Sequence, residues 1–212
     1  MGRGAAPGPG PTGIDGPVIL ARVPRPALVV LVIAAAFAGL ALAAPQLAAA
    51  TLAKEGPVEH ASHLVLLAAV VLWVLLAART GGRPRISAAV ATFLALVLLE
   101  ELDWGAVYGL RGPGEAIARS LGHRNLHNAA SGGSYLLFAV PLAAYFAWPP
   151  GPRPHAPPAP LRGERLAFLL LAALFLLGNL TAWEREAQEL LEGLVYALML
   201  TIAARHLRAR AA

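Results

Sequence analysis

The stretch Glu59–Ala78, EHASHLVLLAAVVLWVLLAA, joins a polar opening (Glu59, His60, Ser62, His63) to fifteen unbroken apolar residues. Crossing the hydrocarbon core of a bilayer takes about 20 residues. Fifteen are too few, so a spanning helix that ends at Ala78 must carry Glu59 and His63 into the membrane with it. Outward from this stretch lie further apolar runs at Ala27–Ala44, Ile86–Leu99, Gly133–Trp148, Leu166–Leu180 and Leu190–Ala204. With Leu64–Ala78 they predict an all-α fold: a polytopic bundle of six transmembrane helices.

Composition agrees. The chain has 212 residues, 58% of them hydrophobic and only 14% charged, where soluble domains carry about 25% charged residues. With no cysteine, a disulfide framework, a thiolate metal site and a cysteine nucleophile are excluded. The net charge of +5 does not point to nucleic acid, because the arginines flank apolar spans and form no stripe with interleaved aromatics. Residues 1–26, rich in Gly, Pro and Ala, read as a disordered cytoplasmic tail, 27–206 as the membrane domain, and 207–212 as a basic C-terminal tail. The Pro-rich segment 149–163 reads as an extended cytoplasmic linker. Basic residues precede the first run, as in a signal peptide, but 18 residues is long for such a core, and the run is read as a retained span.

Orientation follows from Lys and Arg. With six spans, twelve of the 17 fall on one side, shared among the N-terminal tail, the segments after the second and fourth spans, and the C-terminus. The positive-inside rule makes that side cytoplasmic and both termini cytoplasmic, in a bacterial inner membrane. Ten of the 12 acids fall on the other side. The orientation rule does not use acids, so this second asymmetry has a separate cause.

Extending each short run to about 20 residues at 1.5 Å per residue brings the second helix back to Glu59, the third forward to Gly105, the fourth back to Ala129 and the sixth back to Arg185. His63, Glu100 and Glu192 then lie roughly 6–10 Å below the outer surface. Ionisable groups at that depth face the bundle interior and mark ligand or ion sites. Within each helix the spacing agrees: Glu59 and His63 are i,i+4, while Glu100 and Asp103, and Glu189 and Glu192, are i,i+3, so each pair shares a face. The expectation is a polar pocket open to the extracytoplasmic side, with His60, Asp103, Asn125 and Asn128 around it.

Carboxylates and imidazoles without thiolates suit Zn, Mn or Fe. The expected ligands are Glu59, His63, Glu100, His127 and Glu189, with His123 at i,i+4 from His127. Glu101 is the expected general base, with Glu189 as the alternative and Glu192 as a second catalytic candidate, acting on a metal-activated water; Ser62, Ser131 and Ser134 are polar helpers. No Gly-x-Ser-x-Gly occurs, which argues against a serine hydrolase, and Gly109–Gly114 reads as a turn after the third helix. Trp104, Trp148 and Trp183 read as interfacial belt residues and Trp73 as packing. His155 and His206 are given no role.

Glu100-Glu101-Leu102-Asp103-Trp104-Gly105 and Asn125-Leu126-His127-Asn128 resemble two motifs of a group of poorly characterised bacterial multi-pass membrane proteins. That group carries Glu-Glu-x-x-Trp-Gly at a helix end and Asn-Leu-His-Asn some twenty residues on. The resemblance covers roughly 58–200 and extends to acids opening the second and last spans, here Glu59, Glu189 and Glu192. Ala106 stands where the group often has Gln. It implies no established activity. A looser similarity links the chain to the alkaline ceramidase and adipose-receptor superfamily, seven-span hydrolases with a His/Asp zinc site, although here the paired histidines precede the fourth span and the last helix supplies glutamates. The reading is a metal-dependent hydrolase or transferase acting on a lipid or lipid-linked substrate. The alternatives are a cation or proton transporter, and a scaffold in which Arg111, Arg119, Arg124 and Arg185 pair with the acids.

Overall fold

A computed structural model describes residues 24–53, 56–79, 85–109, 112–123, 134–149, 158–178 and 184–211. Among the described residues there is no strand; the chain is all-helical. Its elements are α1 (Arg25–Ala43), α2 (Pro45–Leu52), α3 (Pro57–Arg79), α4 (Arg85–Glu101), a 3-10 segment (Asp103–Tyr108), α5 (Pro113–Leu121), α6 (Ser134–Ala147), α7 (Arg162–Gly178) and α8 (Glu184–Ala211). Three stretches are long and apolar enough to cross a membrane: Arg25–Ala43, Pro45–Arg79 and Ala187–Arg210. Leu136–Ala147 is apolar but shorter.

The helix limits follow local chemistry. Proline lacks an N–H, so it is tolerated where a helix starts and its N–H groups have no partner; it opens α1, α2 and α5. The first apolar run is broken at Ala44, whose backbone (φ −145°, ψ 67°) leaves the helical region before Pro45 restarts it as α2. At the start of α7, the Glu164 carboxylate accepts the Leu161 N–H at 2.7 Å, a side-chain cap for an otherwise orphaned donor. α3 and α8 begin at Pro57 and Glu184, close to the limits expected from membrane thickness. α4 stops at Glu101, short of the expected Gly105, because the chain turns left-handed there. The short helices α2 and α5 lie outside the six expected spans.

α3 and α8 form the central pair, and they run parallel. Gly193 of α8 lies against Ser62, where an added Cβ would meet Ser62 Cβ at 3.2 Å. Further along, the Trp73 indole N–H donates to Met199 O at 3.1 Å, and at the far end Arg210 Nη1 donates to Arg79 O at 3.3 Å. Trp73 is fully buried and meets Tyr145 of α6 edge to face, with 5.7 Å between ring centroids. Around it Leu66, Leu76, Leu94, Leu171, Met199 and Ile202 close the core. The outer surface is apolar too: Leu42 is 87% exposed, Leu64 69% and Leu176 68%. Exposed leucines on several helices are what a lipid-facing belt requires, and a water-facing surface would carry charge instead.

The two ends of the bundle differ in charge. At one end the Arg205 guanidinium grips the buried Glu164 carboxylate through two hydrogen bonds of 2.9 Å and also donates to Ala159 O at 3.0 Å. His206 Nε2 lies 3.4 Å from Ala159 O, Arg165 donates to Trp148 O and to Pro160 O, and Tyr145 donates to Pro158 O. The end of the Pro-rich segment is therefore buried and stapled, not a solvated linker, and His206 sits in that staple. The carboxylates gather at the opposite end.

Candidate functional site

Three helices present their acids to that second end. Glu59 lies in the first turn of α3, Glu100 and Glu101 close α4, and Glu189 and Glu192 occupy the second and third turns of α8. All five, with Asp103, line a single cavity of about 450 Å³. That is within the size range of small-molecule sites. The rest of the lining is largely apolar and includes Phe93, Phe138, Phe168 and Phe175, four of the six phenylalanines in the chain. Phe93 precedes Glu100 by seven residues on α4, which puts it about 10 Å deeper along the helix axis. Acidic and aromatic side chains thus share one lining.

Side chains on neighbouring elements orient two of the acids. The Trp104 indole N–H donates to Glu100 Oε1 at 2.7 Å, and the Tyr196 hydroxyl donates to Glu101 Oε1 at 3.1 Å. Trp104 reaches Glu100 because the backbone turns left-handed after α4: φ is 47° at Asp103 and 55° at Trp104. Left-handed conformations are unfavourable for residues with a Cβ and persist only where the surroundings hold them. The start of α5 does so. A Cβ on Gly114 would meet Asp103 O at 2.4 Å, so only glycine lets α5 close against that turn.

On α3, the Ser62 hydroxyl donates to Glu59 O at 2.7 Å. His63 is 3% exposed, and among the described residues neither of its ring nitrogens has a hydrogen-bond partner. Its Nε2 lies 3.8 Å from Glu59 Oε1, beyond direct hydrogen-bond reach. His60 is exposed on the helix surface, and its ring meets that of His63 edge to face at 6.2 Å. Glu192 shares the cavity lining with Glu59, Glu101 and Glu189.

The structure thus brings Glu59, Glu100, Glu101, Asp103, Glu189 and Glu192 to one cavity, with His63 beside Glu59. His127, Asn125 and Asn128 lie outside the described residues. Among the described residues, no group of three or more His, Asp or Glu is arranged to hold a metal ion. Of the expected ligand set, Glu59 and His63 adjoin as a pair. Four participants are not read from the sequence: Trp104 as a partner of Glu100, Tyr196 as a partner of Glu101, Gln188 in the cavity lining, and the phenylalanine wall. The spacing of Trp104, four residues after Glu100, is the one available signal. No family model, curated protein or solved structure matches the chain.

Proposed function

We propose that this chain is a multi-pass protein of the bacterial inner membrane that binds a lipid or lipid-linked substrate in the acidic–aromatic cavity and acts on it as a hydrolase or transferase. In this reading six spans put both termini in the cytoplasm and the acids toward the extracytoplasmic face, which the arginine distribution supports. The observation that carries the reading is the mixed lining of one cavity, which joins carboxylates of three helices to four phenylalanines. An amphiphile fits such a site with its head among the acids and its chain along the rings. The acids supply position and proton transfer.

Glu101 is the proposed general base. Tyr196 holds one carboxylate oxygen of Glu101, and the carboxylate takes a proton from water or from a substrate hydroxyl. Glu192, beside it, is the partner that returns the proton to the leaving group. Glu100, held by Trp104, positions the head.

Extraction of lipid from the purified protein, followed by turnover assays on lipid amides and esters, tests this. The expected result is a retained lipid in wild type and in Glu101→Gln, with turnover lost only in the variant. A protein that retains no lipid and turns over none of these substrates would sink the reading.

A further inference from the structure

We infer that the apolar chain reaches this cavity sideways out of the bilayer, through a seam between α6 and α7 that α6 opens by bending at Pro141. The inference rests on the proposed lipid-binding reading and adds the phase from which the substrate comes: a membrane-resident lipid, not a water-soluble molecule. Its first observation is where the cavity meets the surface. Ala139 of α6 and Leu176 of α7 both line the cavity, and both are exposed on the outside of the bundle. Alanine has one side-chain carbon and cannot form a wall with an inner and an outer side, so Ala139 marks a rim. That rim is apolar. From Leu136 to Ala147 on α6 and from Leu166 to Gly178 on α7 no residue is charged, and the neighbouring Leu137, Val140 and Leu177 are exposed as well. A mouth for a water-borne ligand would carry polar groups; one of this composition belongs in hydrocarbon.

The second observation is how α6 is held. Its C-terminal half is anchored: Tyr145 and Phe146 are buried, Tyr145 meets the Trp73 ring and donates to Pro158 O, and Phe146 stacks on Phe168 of α7 with 4.2 Å between centroids. The N-terminal half is mostly outside. Leu136, Leu137, Ala139 and Val140 are exposed, while Phe138 turns inward and meets Phe93 of α4 with 6.3 Å between centroids. Pro141 lies between the halves. Without an N–H it cannot bond to Leu137 O, four residues back, so the helix is weakest where its anchored part ends. Sharp bends in helices arise mostly at such prolines, and a hinge needs only a few residues to absorb the motion. Swinging the N-terminal half outward parts Phe138 from Phe93 and widens the seam at Ala139. An aromatic pair is a weak latch, and it re-forms once the chain is inside.

The test uses the full-length protein, stripped of lipid in detergent and then placed in nanodiscs of phosphatidylcholine, part of which carries a diazirine at the end of one acyl chain. Adducts formed on illumination are located by mass spectrometry and followed against time. Leu94 and Leu171 line the cavity and are buried, so they report a chain inside, whereas Leu169, exposed on α7, reports the outer surface. Adducts are expected at all three. The chain has no cysteine, so Phe93→Cys and Phe138→Cys in one protein can be bridged in detergent by a reducible bis-thiol reagent. The bridge is expected to cut adducts at Leu94 and Leu171 at least about tenfold, because it removes the open state from the ensemble. Leu169 should be labelled as before, and reduction should restore the rest. Pro141→Ala is expected to slow labelling of Leu94 and Leu171 about fivefold, the effect of one restored hydrogen bond on the bent population; if the double variant does not fold, this variant decides alone. Undiminished labelling in the bridged protein, or Pro141→Ala as fast as wild type, would overturn the α6 gate and leave the lipid-binding reading standing. So would labelling of Leu94 and Leu171 by a short-chain diazirine phosphatidylcholine added in water but not by the bilayer lipid. Labelling of neither residue by either lipid would overturn the lipid-binding reading itself.

Discussion

Trp73 and Trp104 put the same indole N–H to different uses. Trp73 joins α3 to α8 through Met199 O in a fully buried position. Truncating a buried aromatic residue removes packing and leaves a cavity, at about 3–5 kcal/mol; losing one hydrogen bond costs about 1 kcal/mol. Trp73→Ala is expected to fall in the first range and Trp73→Phe near the second, measured by reversible unfolding in mixed micelles. Trp104 is half-buried and orients Glu100. Trp104→Phe should therefore leave stability within about 1 kcal/mol of wild type while weakening substrate binding. A Trp104→Phe variant that binds substrate as wild type does would show that the indole does not hold Glu100. In the sequence Trp73 is legible as packing, because a mid-span aromatic has little else to do. Trp104 reads there as a belt residue, and its tie to Glu100 does not show. The usual i,i+4 rule assumes a continuing helix, and here the contact is made across a left-handed turn that side-chain pattern does not announce.

At the scale of elements, the acids are legible and the aromatic wall is not. A carboxylate in an otherwise apolar segment costs about 2.5–3.5 kcal/mol at mid-bilayer, so Glu59, Glu100 and Glu192 stand out against their surroundings. Phe93, Phe138, Phe168 and Phe175 sit in runs where a lipid-facing ring and a cavity-facing ring look alike. The turn between α4 and α5 depends on a close approach that only the fold reveals. Gly114→Ala places a methyl group 2.4 Å from Asp103 O. That backbone atom cannot move aside without disturbing the turn, so the variant is expected to release Trp104 from Glu100, seen as a change in Trp104 fluorescence in a protein whose other tryptophans are phenylalanine. Gly39, where an added Cβ would have nothing within 4 Å, is the control: Gly39→Ala should leave that fluorescence unchanged. At the opposite end, Glu164 and Arg205 tie α7 to α8. Breaking a buried ion pair by removing one partner costs about 3–5 kcal/mol; Arg205→Ala should approach the lower figure, because Arg205 is partly solvated. A variant as stable as wild type would show that the staple is dispensable.

For the whole molecule, the arginine count and the run lengths make membrane insertion readable, because both respond to the bilayer and not to neighbours in the fold. The pairing of α3 with α8 is not readable, because parallel packing of helices over 100 residues apart leaves no local mark. The absence of cysteine makes orientation directly measurable. Single cysteines at Ser120 and at Arg208 should label differently in intact cells, the first freely and the second only after the membrane is permeabilised. Labelling of both from the same side would reverse or break the six-span arrangement. The α3–α8 pairing also bears on biosynthesis. Helices enter the membrane in chain order, and α8 leaves the ribosome long after α3. Until it arrives, Glu59 and His63 have no carboxylate-bearing neighbour from that helix, and the Trp73 N–H has no Met199 carbonyl to meet. A chain stalled before Glu184 is thus an insertion intermediate with polar groups turned toward lipid, the kind of species that membrane quality-control proteases remove. Completion of the ligand site and escape from degradation would then be one event, set by the arrival of α8.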